Sequence, residues 1–470
     1  MSPAAAAASA MRRQQVEMSE FTVRGQRVTV VGGAASGVAA ARLLVERGAS
    51  VTLTDLRPSL DAAAELAAIG VSLALGSHPE GLLTGSDLVV VSPGVPAGQP
   101  AVASARAAGV PVIGEVELAS RWLLGRVVAI TGTKGKSTTT ALVGRMLEEA
   151  GVRVLVGGNI GTPLASQVSA STAGTVHVVE VSSFQLETTD TFHPWIAAML
   201  NLSADHLDRH ASVEEYAAAK ARIFARQTGR DISVANADDA RALAMAVAGR
   251  ARVVRFARDA RIDDGVTVAG GWIVERGPAG DTQLMKTSDV RLIGPHLLAD
   301  VLASAAIARA AGAGPDAVAR AAASFAGLEH AMELVDEIGG VRFVNDSKAT
   351  NVDAARQAIE TFGRGLVVIM GGRFKGGDLR LLRPALASRG ATVVAIGEAA
   401  ALMREAFDGA APVRAAASMA EAVRAAMAAA APGGSVLLAP ACASFDMFDN
   451  YAARGRAFKA EVAALRREEG

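Results

Sequence analysis

Residues 126–138 constrain the fold of this chain more than any other segment. An apolar run at 127–130 leads into a turn that reads TGTKGKS at 131–137, and a helical stretch follows. In such a turn the glycines let backbone N–H groups close around a phosphate, the lysine reaches the terminal phosphates and the serine hydroxyl can ligate Mg²⁺. The helix N-terminus adds a favourable dipole. The segment predicts a strand, a phosphate-binding loop and a helix, and it favours hydrolysis or transfer of a phosphoryl group of ATP.

The turn is a shortened form of the usual phosphate-binding loop. The usual loop has a glycine six residues before the lysine, and that position is Ile130 here. A glycine-rich turn that only packs tightly between a strand and a helix is the alternative. Lys136 and Ser137 occupy the positions that the lysine and the serine have in the usual loop, which favours ATP binding. The residues expected to bind ATP in the turn are Gly132, Thr133, Lys134, Gly135, Lys136, Ser137 and Thr138.

The length and the charge balance of the chain limit its number of domains and its kinds of partner. At 470 residues it exceeds what one hydrophobic core usually supports, so two or three domains are expected. Basic and acidic residues number 47 each, so no net field favours nucleic acid or an anionic membrane. We expect a monomer whose partners are small molecules. The single cysteine, Cys442, excludes an intrachain disulfide and predicts the reducing cytoplasm.

Residues 1–20 predict a disordered N-terminal tail. They begin with an Ala-rich run, and basic residues follow at 12–13, so the charge lies after the apolar part, unlike in a secretory signal. The sequence contains no uninterrupted apolar stretch of transmembrane length, so no membrane insertion is expected.

Alternating strand and helix patterns divide the rest of the chain into three α/β units, at 21–114, 115–326 and 327–470. The first and third units predict Rossmann-like sheets, and the middle unit predicts a parallel sheet like that of P-loop ATPases. Strands are predicted at 27–31, 50–54 and 88–91, at 152–156, 176–181, 195–201 and 231–235 with a β-rich patch at 251–293, and at 341–345, 366–370, 392–396 and 435–439.

The first strand leads into a second glycine-rich turn, GGAASG at 32–37. A dinucleotide fold would show G-x-G-x-x-G there, and an acidic residue such as Asp55, at the end of the second strand, would hold a ribose or base. The middle glycine is displaced, which disfavours an NAD site. The pattern is more typical of a turn that binds the diphosphate of another nucleotide.

Polar residues follow the strands of the middle unit, where ligands of open parallel sheets gather. Asn159 follows the strand at 152–156, and Glu180, near the end of the next strand, is placed for Mg²⁺. His206 lies among carboxylates in DHLDR at 205–209 and could ligate a second Mg²⁺, although this ion generally prefers oxygen. Lys220, taken alone, is typical of a solvated helix surface.

Three polar loops each follow a predicted strand of the last unit. They read NDSKATN at 345–351, GGRFK at 371–375 and PACASFD at 440–446. A single loop of this kind would be typical of a solvated turn. Because three of them stand at adjacent strand ends, their lysines and serine are predicted to converge on an anionic substrate.

These motifs together resemble one family over nearly the whole chain, the Mur ligases of peptidoglycan synthesis. TGTKGKS at 131–137, EVSSFQLE at 180–187 and DHLDR at 205–209 are similar to motifs of the whole family. DSKATN at 346–351 and ACASFD at 441–446 are similar to motifs of its D-glutamate-adding members. The resemblance implies an ATP- and Mg²⁺-dependent amide ligase that joins D-glutamate to UDP-N-acetylmuramoyl-L-alanine in cell wall biogenesis.

The resemblance also implies roles for individual residues. The UDP end of the substrate would be bound in the first unit by Gly33, Ala34, Ser36, Asp55, Ser92 and Gly94. ATP would be bound by the phosphate-binding turn together with Asn159 and Asp346. D-glutamate would be bound by Lys348, Thr350, Lys375, Ser444 and Tyr451, the last standing where this type often has Phe. Mg²⁺ would be held by Ser137 and Glu180 at a first site, and by His206 and a carbamylated Lys220 at a second.

The implied reaction has two steps. The alanyl carboxylate attacks the γ-phosphate of ATP in line, which gives an acyl phosphate and ADP, and the amine of D-glutamate then forms the amide. Several negative charges meet in the first step, so Mg²⁺ and Lys136 must neutralise them. The implied catalytic residues are Lys136, His206, Lys220 and Lys348.

Three positions depart from the family pattern. Relatives often have His-Asn-x-x-Asn where this chain has Leu297 and Asp300 after His296, and an Arg commonly stands where Ala331 follows His330. Both places are expected to touch the nucleotide. The alternatives are a related ligase that adds a diamino acid, a dipeptide or glutamate to folate, or a nucleotide-binding protein that has lost catalysis. The Asp-Asn-Pro motif of the diamino-acid enzyme is missing.

Overall fold

The structure, a computed structural model, describes residues 21–96, 98–203, 205, 209–278, 280–292, 295–430 and 432–469. Over these ranges the chain forms three α/β sheets, which confirms the predicted fold class. The chain divides into two compact units, Met1–Thr287 with Asp300–Ala321, and Ser288–Ala299 with Ala322–Gly470. The first two sheets belong to the first unit and the third sheet to the second. Within the described ranges, no helix is long and apolar enough to cross a membrane.

The first sheet is parallel throughout. Its described strands are β1 (Arg27–Val31), β2 (Ser50–Asp55), β3 (Ser72–Leu75), β4 (Leu88–Val91) and β5 (Val112–Gly114), in the order β3-β2-β1-β4-β5. The accompanying helices are Ala35–Glu46, Ala63–Ala68, Pro100–Ala107 and Glu115–Ser120. All four residues of β4 are buried, as expected of a strand in a parallel sheet with both faces covered.

The central sheet carries the phosphate-binding turn. Its described strands are β6 (Arg126–Thr131), β7 (Arg153–Gly158), β8 (Thr175–Glu180), β9 (Ile196–Met199), β10 (Ile232–Asn236), β11 (Arg252–Ala257), β12 (Gly265–Ala269), β13 (Trp272–Arg276) and β14 (Thr282–Lys286). Their order is β14-β13-β12-β11-β10-β9-β6-β8-β7, and only the pairs of β13 with its neighbours are antiparallel in this described set. The α-helices of this part are Lys136–Glu149, Ser183–Glu187, Val213–Ala221, Ala240–Val247, Pro295–Ala310 and Pro315–Ser324.

The third sheet forms the core of the second unit. Its described strands are β15 (Glu333–Ile338), β16 (Val341–Asn345), β17 (Leu366–Gly371), β18 (Thr392–Ile396), β19 (Val413–Ala416) and β20 (Ser435–Leu438), in the order β15-β16-β20-β17-β18-β19. Only β15 runs antiparallel among these strands. The α-helices are Val352–Glu360, Arg383–Ser388, Ala400–Ala406, Met419–Ala429 and Tyr451–Glu469.

A buried carboxylate fastens the short helix after β5 to a loop of the central sheet. Glu117 accepts hydrogen bonds from the N–H groups of Asp190, Thr191 and Phe192, from the Thr191 hydroxyl and from the Arg121 guanidinium. Burial raises the pKa of Glu117, but the bonds from Thr191, Asp190 and Arg121 outweigh it and hold the pKa below its ordinary value. The helix Glu115–Ser120 is therefore tied to the central sheet, although it follows the first sheet in the chain.

Glu115 makes a second link of the same kind. Its Oε1 accepts from the N–H of Ala165 at 2.6 Å, and its buried Oε2 has no hydrogen-bond partner among the described residues. Burial raises the pKa of Glu115 to about 7. The two carboxylates together hold two separate segments between strands of the central sheet, the 3₁₀ helix Leu164–Ala170 and the loop at 190–192.

Candidate active site

The phosphate-binding turn connects β6 to the helix Lys136–Glu149. Gly135 caps this helix with a φ of 80°, a left-handed conformation that glycine adopts without strain. A Cβ atom at Gly135 would lie 2.1 Å from Oδ1 of Asp300. Both its conformation and its close packing therefore restrict this position to glycine.

Asn201 holds the turn from beyond the end of β9. Its Oδ1 accepts hydrogen bonds from the N–H groups of Thr133 and Lys134 at 3.1 and 2.8 Å, and its Nδ2 donates to the Lys134 carbonyl at 3.1 Å. The sequence alone indicated no role for Asn201. The signal that could have found it is position, because β9 pairs with β6 and residues after both strands share one edge of the sheet.

Ser137, Glu180 and Asn159 form one hydrogen-bonded chain beside the turn. The Ser137 hydroxyl donates to Oε2 of Glu180 at 2.7 Å, and Nδ2 of Asn159 donates to Oε1 at 2.8 Å. Glu180 is buried at the end of β8. Hydroxyl and carboxylate oxygens are ligands that Mg²⁺ prefers, so Ser137 and Glu180 fit the expected first metal position.

Two lysines contact the backbone of the turn. Lys136 Nζ donates to the Thr133 carbonyl at 3.0 Å, and Lys220 Nζ donates to the Gly132 carbonyl at 2.8 Å. Lys220 is 1% exposed, so its interpretation as a solvated surface lysine is wrong. Burial and the nearby Lys136 charge lower the pKa of Lys220 to about 7. A large fraction of this amine is therefore neutral at physiological pH.

His206 lies outside the described residues, so its metal-binding role stays a prediction. Within the part of the chain that the structure describes, no group of three or more His, Cys, Asp or Glu side chains could hold a metal ion. The described candidates for metal ligands are thus the oxygen pair of Ser137 and Glu180 and the side chain of Lys220.

A cleft of about 470 Å³ is lined by residues that follow strands of the first and the central sheet. Asn159 lines this cleft and is bonded to Glu180, so the cleft reaches the edge of the phosphate-binding site. Five of the residues expected to bind the UDP end of a substrate also line it, namely Ala34, Ser36, Asp55, Ser92 and Gly94.

Asp55 is engaged within the protein. Its Oδ2 accepts from the N–H of Gly33 at 2.6 Å, and the guanidinium of Arg57 donates to both carboxylate oxygens at 2.7 and 3.0 Å. The hydrogen bonds from Arg57 and Gly33 hold the pKa of Asp55 well below its usual range, despite burial. Asp55 therefore shapes the turn after β1 and fixes Arg57, and a contact with a ribose or base would compete with these bonds.

Backbone hydrogen bonds bring together the three polar loops of the second unit. Arg373 and Ala443 donate to each other's carbonyl at 2.9 and 3.0 Å, which joins the loops after β17 and β20. The N–H of Ala441 donates to the Ala349 carbonyl at 2.9 Å, which adds the loop after β16. These bonds join the backbones of the three loops, and the convergence of their lysines and serine on an anionic substrate stays a prediction. On or next to these loops lie the residues expected to bind D-glutamate: Lys348, Thr350, Lys375, Ser444 and Tyr451.

Arg454 lies beneath these loops and was missed from the sequence. It is 1% exposed. Its Nη2 and Nε donate to the carbonyl and hydroxyl of Ser347 at 2.9 and 3.0 Å, and its Nη1 donates to the carbonyls of Cys442 at 3.1 Å and Gly371 at 3.4 Å. Burial lowers the pKa of Arg454 to about 10, which leaves it charged at neutral pH. One buried cation therefore ties all three loops to the helix Tyr451–Glu469.

Asp300 and Asp346, two positions at which contacts with the nucleotide are expected, are both buried. Asp300 packs against Gly135 in the first unit, and burial raises its pKa to about 7. Asp346, in the second unit, accepts from the N–H of Met332 at 3.2 Å, and burial raises its pKa to about 7 as well. The expected role of Asp346 in ATP binding stays a prediction.

Sequence comparison finds the same family over three segments of the chain. Residues 26–114 match the Mur ligase MurD-like N-terminal domain, residues 130–308 match the Mur ligase middle domain, and residues 330–442 match the Mur ligase glutamate ligase domain.

Relatives with a known name extend over nearly the full chain. The UDP-N-acetylmuramoylalanine–D-glutamate ligase of Acidobacterium capsulatum is 48% identical over 451 residues, which are 94% of this chain and 97% of that protein. The protein of the same name from Solibacter usitatus is 45% identical over 443 residues, 94% of this chain and 99% of its own length. Among solved structures, the UDP-N-acetylmuramate-alanine ligase of Thermotoga maritima is similar, with a TM-score of 0.56 and 18% identity over 94% of this chain and 100% of that one. At this identity the solved structure supports the fold alone.

Proposed function

This chain belongs to the Mur ligase family, and we propose that it is the member that joins D-glutamate to UDP-N-acetylmuramoyl-L-alanine while converting ATP to ADP and phosphate. Relatives that carry this name match the chain almost from end to end, so each part of their sequence has a counterpart here. The product is a peptidoglycan precursor, which gives the protein its role in cell wall biogenesis.

The observation that carries this proposal is the junction between the cleft and the phosphate-binding turn. Asn159 lines the cleft and bonds Glu180, and Glu180 in turn bonds Ser137 of the turn. A UDP-linked substrate lying in the cleft would therefore bring its carboxylate end towards the γ-phosphate of an ATP held by the turn. Positioning two reactants in this way supplies a large part of the rate enhancement in phosphoryl transfer.

The first step forms a bond between a carboxylate oxygen and the γ-phosphorus, and it breaks the bond between that phosphorus and the β–γ bridging oxygen. Lys136, in the first turn of the helix after β6, would neutralise the charge that builds up on the phosphoryl oxygens. The backbone N–H groups of the turn would orient the phosphates. Asn201, which fixes the backbone of Thr133 and Lys134, would keep those groups in place.

Mg²⁺, held by Ser137 and Glu180, would supply charge neutralisation on the phosphates. Lys220 would contribute to a second position as its carbamate, formed when the neutral amine takes up CO₂ and releases a proton. The pKa of Lys220, lowered to about 7 by burial, favours this reaction because only the neutral amine is nucleophilic. His206 would complete this second position.

In the second step the amine of D-glutamate attacks the acyl carbon, and phosphate leaves. We assign the binding of D-glutamate to the polar loops of the second unit, where Lys348 and Lys375 are exposed cations suited to a dicarboxylate. Thr350, Ser444 and Tyr451 would contribute hydrogen bonds and contact area. Asp346 would contact the ATP ribose.

The domain limits that we propose are 21–114, 115–326 and 327–470, and we propose a cytoplasmic monomer. The bonds from Glu117 to the loop at 190–192 support starting the middle domain at residue 115. The single cysteine of the sequence suits the reducing cytoplasm.

The test is ADP release by the purified protein with Mg²⁺, ATP and UDP-N-acetylmuramoyl-L-alanine. D-glutamate would be compared with L-glutamate, meso-diaminopimelate and no amino acid, and the UDP product would be weighed by mass spectrometry. We expect turnover with D-glutamate only, with the matching mass gain. Turnover with the diamino acid would instead support a different ligase of this family. If folded protein releases no ADP in any of the four reactions, the result would support a nucleotide-binding protein without catalysis.

We expect Asp300→Asn to change how ATP binding depends on pH. Because burial raises the pKa of Asp300 to about 7, its carboxyl is protonated below that pH and negatively charged above it. The charge would lie against Gly135, close to the bound phosphates, and would repel them. The KM for ATP of the wild type should therefore rise as the pH passes 7, whereas that of Asp300→Asn should not, so that the two differ by about tenfold at pH 8 and little at pH 6.

Lys220 titrates in the same range, but it is present in both proteins, so their ratio isolates Asp300. Asp316→Asn, which changes an exposed aspartate of the following helix, is the matched control. A ratio that stays constant from pH 6 to pH 8 would contradict the placement of Asp300 beside the phosphates. Stability gives a second readout: because the pKa of Asp300 is raised from 3.8 to about 7, its contribution to stability is fully present below about pH 4 and is lost as the pH rises to about 7. The asparagine variant should therefore gain more in Tm at pH 8 than at pH 5.

A further inference from the structure

Most polar side chains in the wall of the cleft already have partners within the protein. Both oxygens of Asp55 accept from Arg57, and Oε1 of Gln99 accepts from the N–H of Val102 at 3.0 Å. The hydroxyl of Ser92 donates to the Gly32 carbonyl at 2.8 Å. These bonds shape the cleft, and a ligand that contacts the same atoms would compete with them.

His78 lines the same cleft and received no role from the sequence. Its Nδ1 lies 2.9 Å from the Thr54 hydroxyl oxygen, and that hydroxyl also lies 3.1 Å from the Ser77 carbonyl, to which it donates. A hydroxyl has one proton, and a carbonyl can only accept. The arrangement that satisfies both contacts has the Thr54 proton on the Ser77 carbonyl and a proton on Nδ1 of His78. In this neutral tautomer, Nε2 carries a lone pair and is a hydrogen-bond acceptor.

The position of His78 in the cleft indicates which part of a nucleotide it meets. His78 follows β3, the edge strand of the first sheet, and the N–H of Gly76 donates to the Asp55 carbonyl at 2.9 Å, which fixes this turn beside the end of β2. From there the wall passes the ends of β2, β1 and β4 and reaches Asn159 of the central sheet. The glycine-rich turn after β1, suited to a diphosphate, lies between His78 and Asn159 along this wall.

A UDP-linked substrate has its diphosphate between the uracil and the amino sugar. If the sugar and its carboxylate tail point to Asn159 and the ATP site, the uracil lies at the His78 end. Leu56, 64% exposed on the same wall, offers an apolar surface to a base. The imide edge of uracil presents one donor, N3–H, between two carbonyl acceptors, whereas the corresponding N3 of cytosine is an acceptor.

We propose that His78 selects the base of the substrate: Nε2 accepts a hydrogen bond from N3–H of uracil. This inference rests on the proposed function, because it takes the cleft to be the site of a UDP-linked substrate. A base whose N3 has no proton would leave two acceptors facing each other, so His78 discriminates against it. The residue contributes to binding of the substrate and leaves the chemistry at the other end of the cleft unchanged.

The test measures binding of UDP, CDP and N3-methyl-UDP by calorimetry, to the wild type and to His78→Ala. The N3-methyl compound keeps both uracil carbonyls and carries a methyl group in place of the proton on N3. We expect the wild type to bind UDP about five- to tenfold more tightly than either analogue, the range that one neutral hydrogen bond supplies. In His78→Ala, UDP should bind about as weakly as N3-methyl-UDP binds to the wild type, and the preference for UDP should disappear.

Two further variants sharpen the comparison. His78→Gln can present an amide oxygen near the position of Nε2 and should recover part of the preference for UDP. His193→Ala removes another partly exposed histidine, which pairs with Asp231 and does not line the cleft, and it should keep the full preference. His78→Ala that retains the wild-type preference for UDP overturns the inference.

Ligation assays separate this failure from failure of the proposed function. A protein that ligates D-glutamate but keeps its base preference without His78 overturns the role of His78 alone. A wild type that neither binds UDP nor ligates overturns both.

Discussion

Lys136→Ala is expected to lower kcat for ligation by about 10³-fold or more, the range found when a charge that stabilises phosphoryl transfer is removed. Lys136 begins the helix after β6, and its Nζ lies 3.0 Å from the Thr133 carbonyl, within the curve of the turn. Its charge would act most strongly as charge redistributes over the transferred phosphoryl group. The KM for UDP-N-acetylmuramoyl-L-alanine should change little, because the cleft is lined by other residues. Steady-state ADP release with each substrate varied in turn measures both quantities.

Arg145→Ala is the matched control for this variant. Arg145 lies on the same helix and forms surface ion pairs with Glu148 and Glu149, which contribute little to stability. Its replacement should leave kcat within about twofold, since surface substitutions have small effects. A folded Lys136→Ala protein that keeps a tenth of the wild-type rate would contradict the assignment of the turn to the reacting phosphate.

Arg454→Ala is expected to destabilise the second unit by about 3–5 kcal/mol and to weaken the use of D-glutamate. The change leaves a cavity in place of a buried side chain, and it removes the donors that the carbonyls of Ser347, Gly371 and Cys442 share. The three polar loops would then lose their common anchor. Urea unfolding followed by circular dichroism measures the loss of stability, and the KM for D-glutamate measures the effect on the loops.

Arg454→Lys keeps the positive charge but loses the planar fork that reaches several acceptors at once. It should fold, raise the KM for D-glutamate and leave the KM for ATP close to that of the wild type. Arg456→Ala, an exposed arginine two positions further along the same helix, is the matched control and should behave as the wild type. Equal increases of all three KM values in Arg454→Lys would instead indicate a general loss of structure.

The sequence predicted the interior strands well because of how parallel sheets are buried. Strands such as β4 and β17 are covered on both faces, and they therefore appear as continuous apolar runs. The strands it missed, β3, β5, β15 and β19, stand at the edges of their sheets. Edge strands are less buried, and β15 carries three acidic residues in six positions, so the apolar signal is absent.

The residues of the candidate site also fall into two groups, those that could be predicted from the sequence and those that could not. Residues in the glycine-rich turn and in the polar loops could be predicted because the residue types that indicate their chemistry stand within a few consecutive positions. Arg454 and Glu117 could not, since their partners lie 107 and 74 positions away, at Ser347 and Thr191. In the sequence each is one charged residue of a helix, and such residues are mostly exposed. Only the fold reveals that they are buried and what they hold.

The bonds made by Glu115 and Glu117 decide where a chimera between relatives can be joined. A junction placed after the helix Glu115–Ser120 would pair this helix from one parent with loops from another, and each buried N–H donor left without its carboxylate would cost about 1–3 kcal/mol. A junction placed before Glu115 takes the carboxylates and their hydrogen-bond donors from the same parent, so that these bonds are kept. The helix Glu115–Ser120 therefore has to be exchanged together with the central sheet, although it directly follows the last strand of the first sheet.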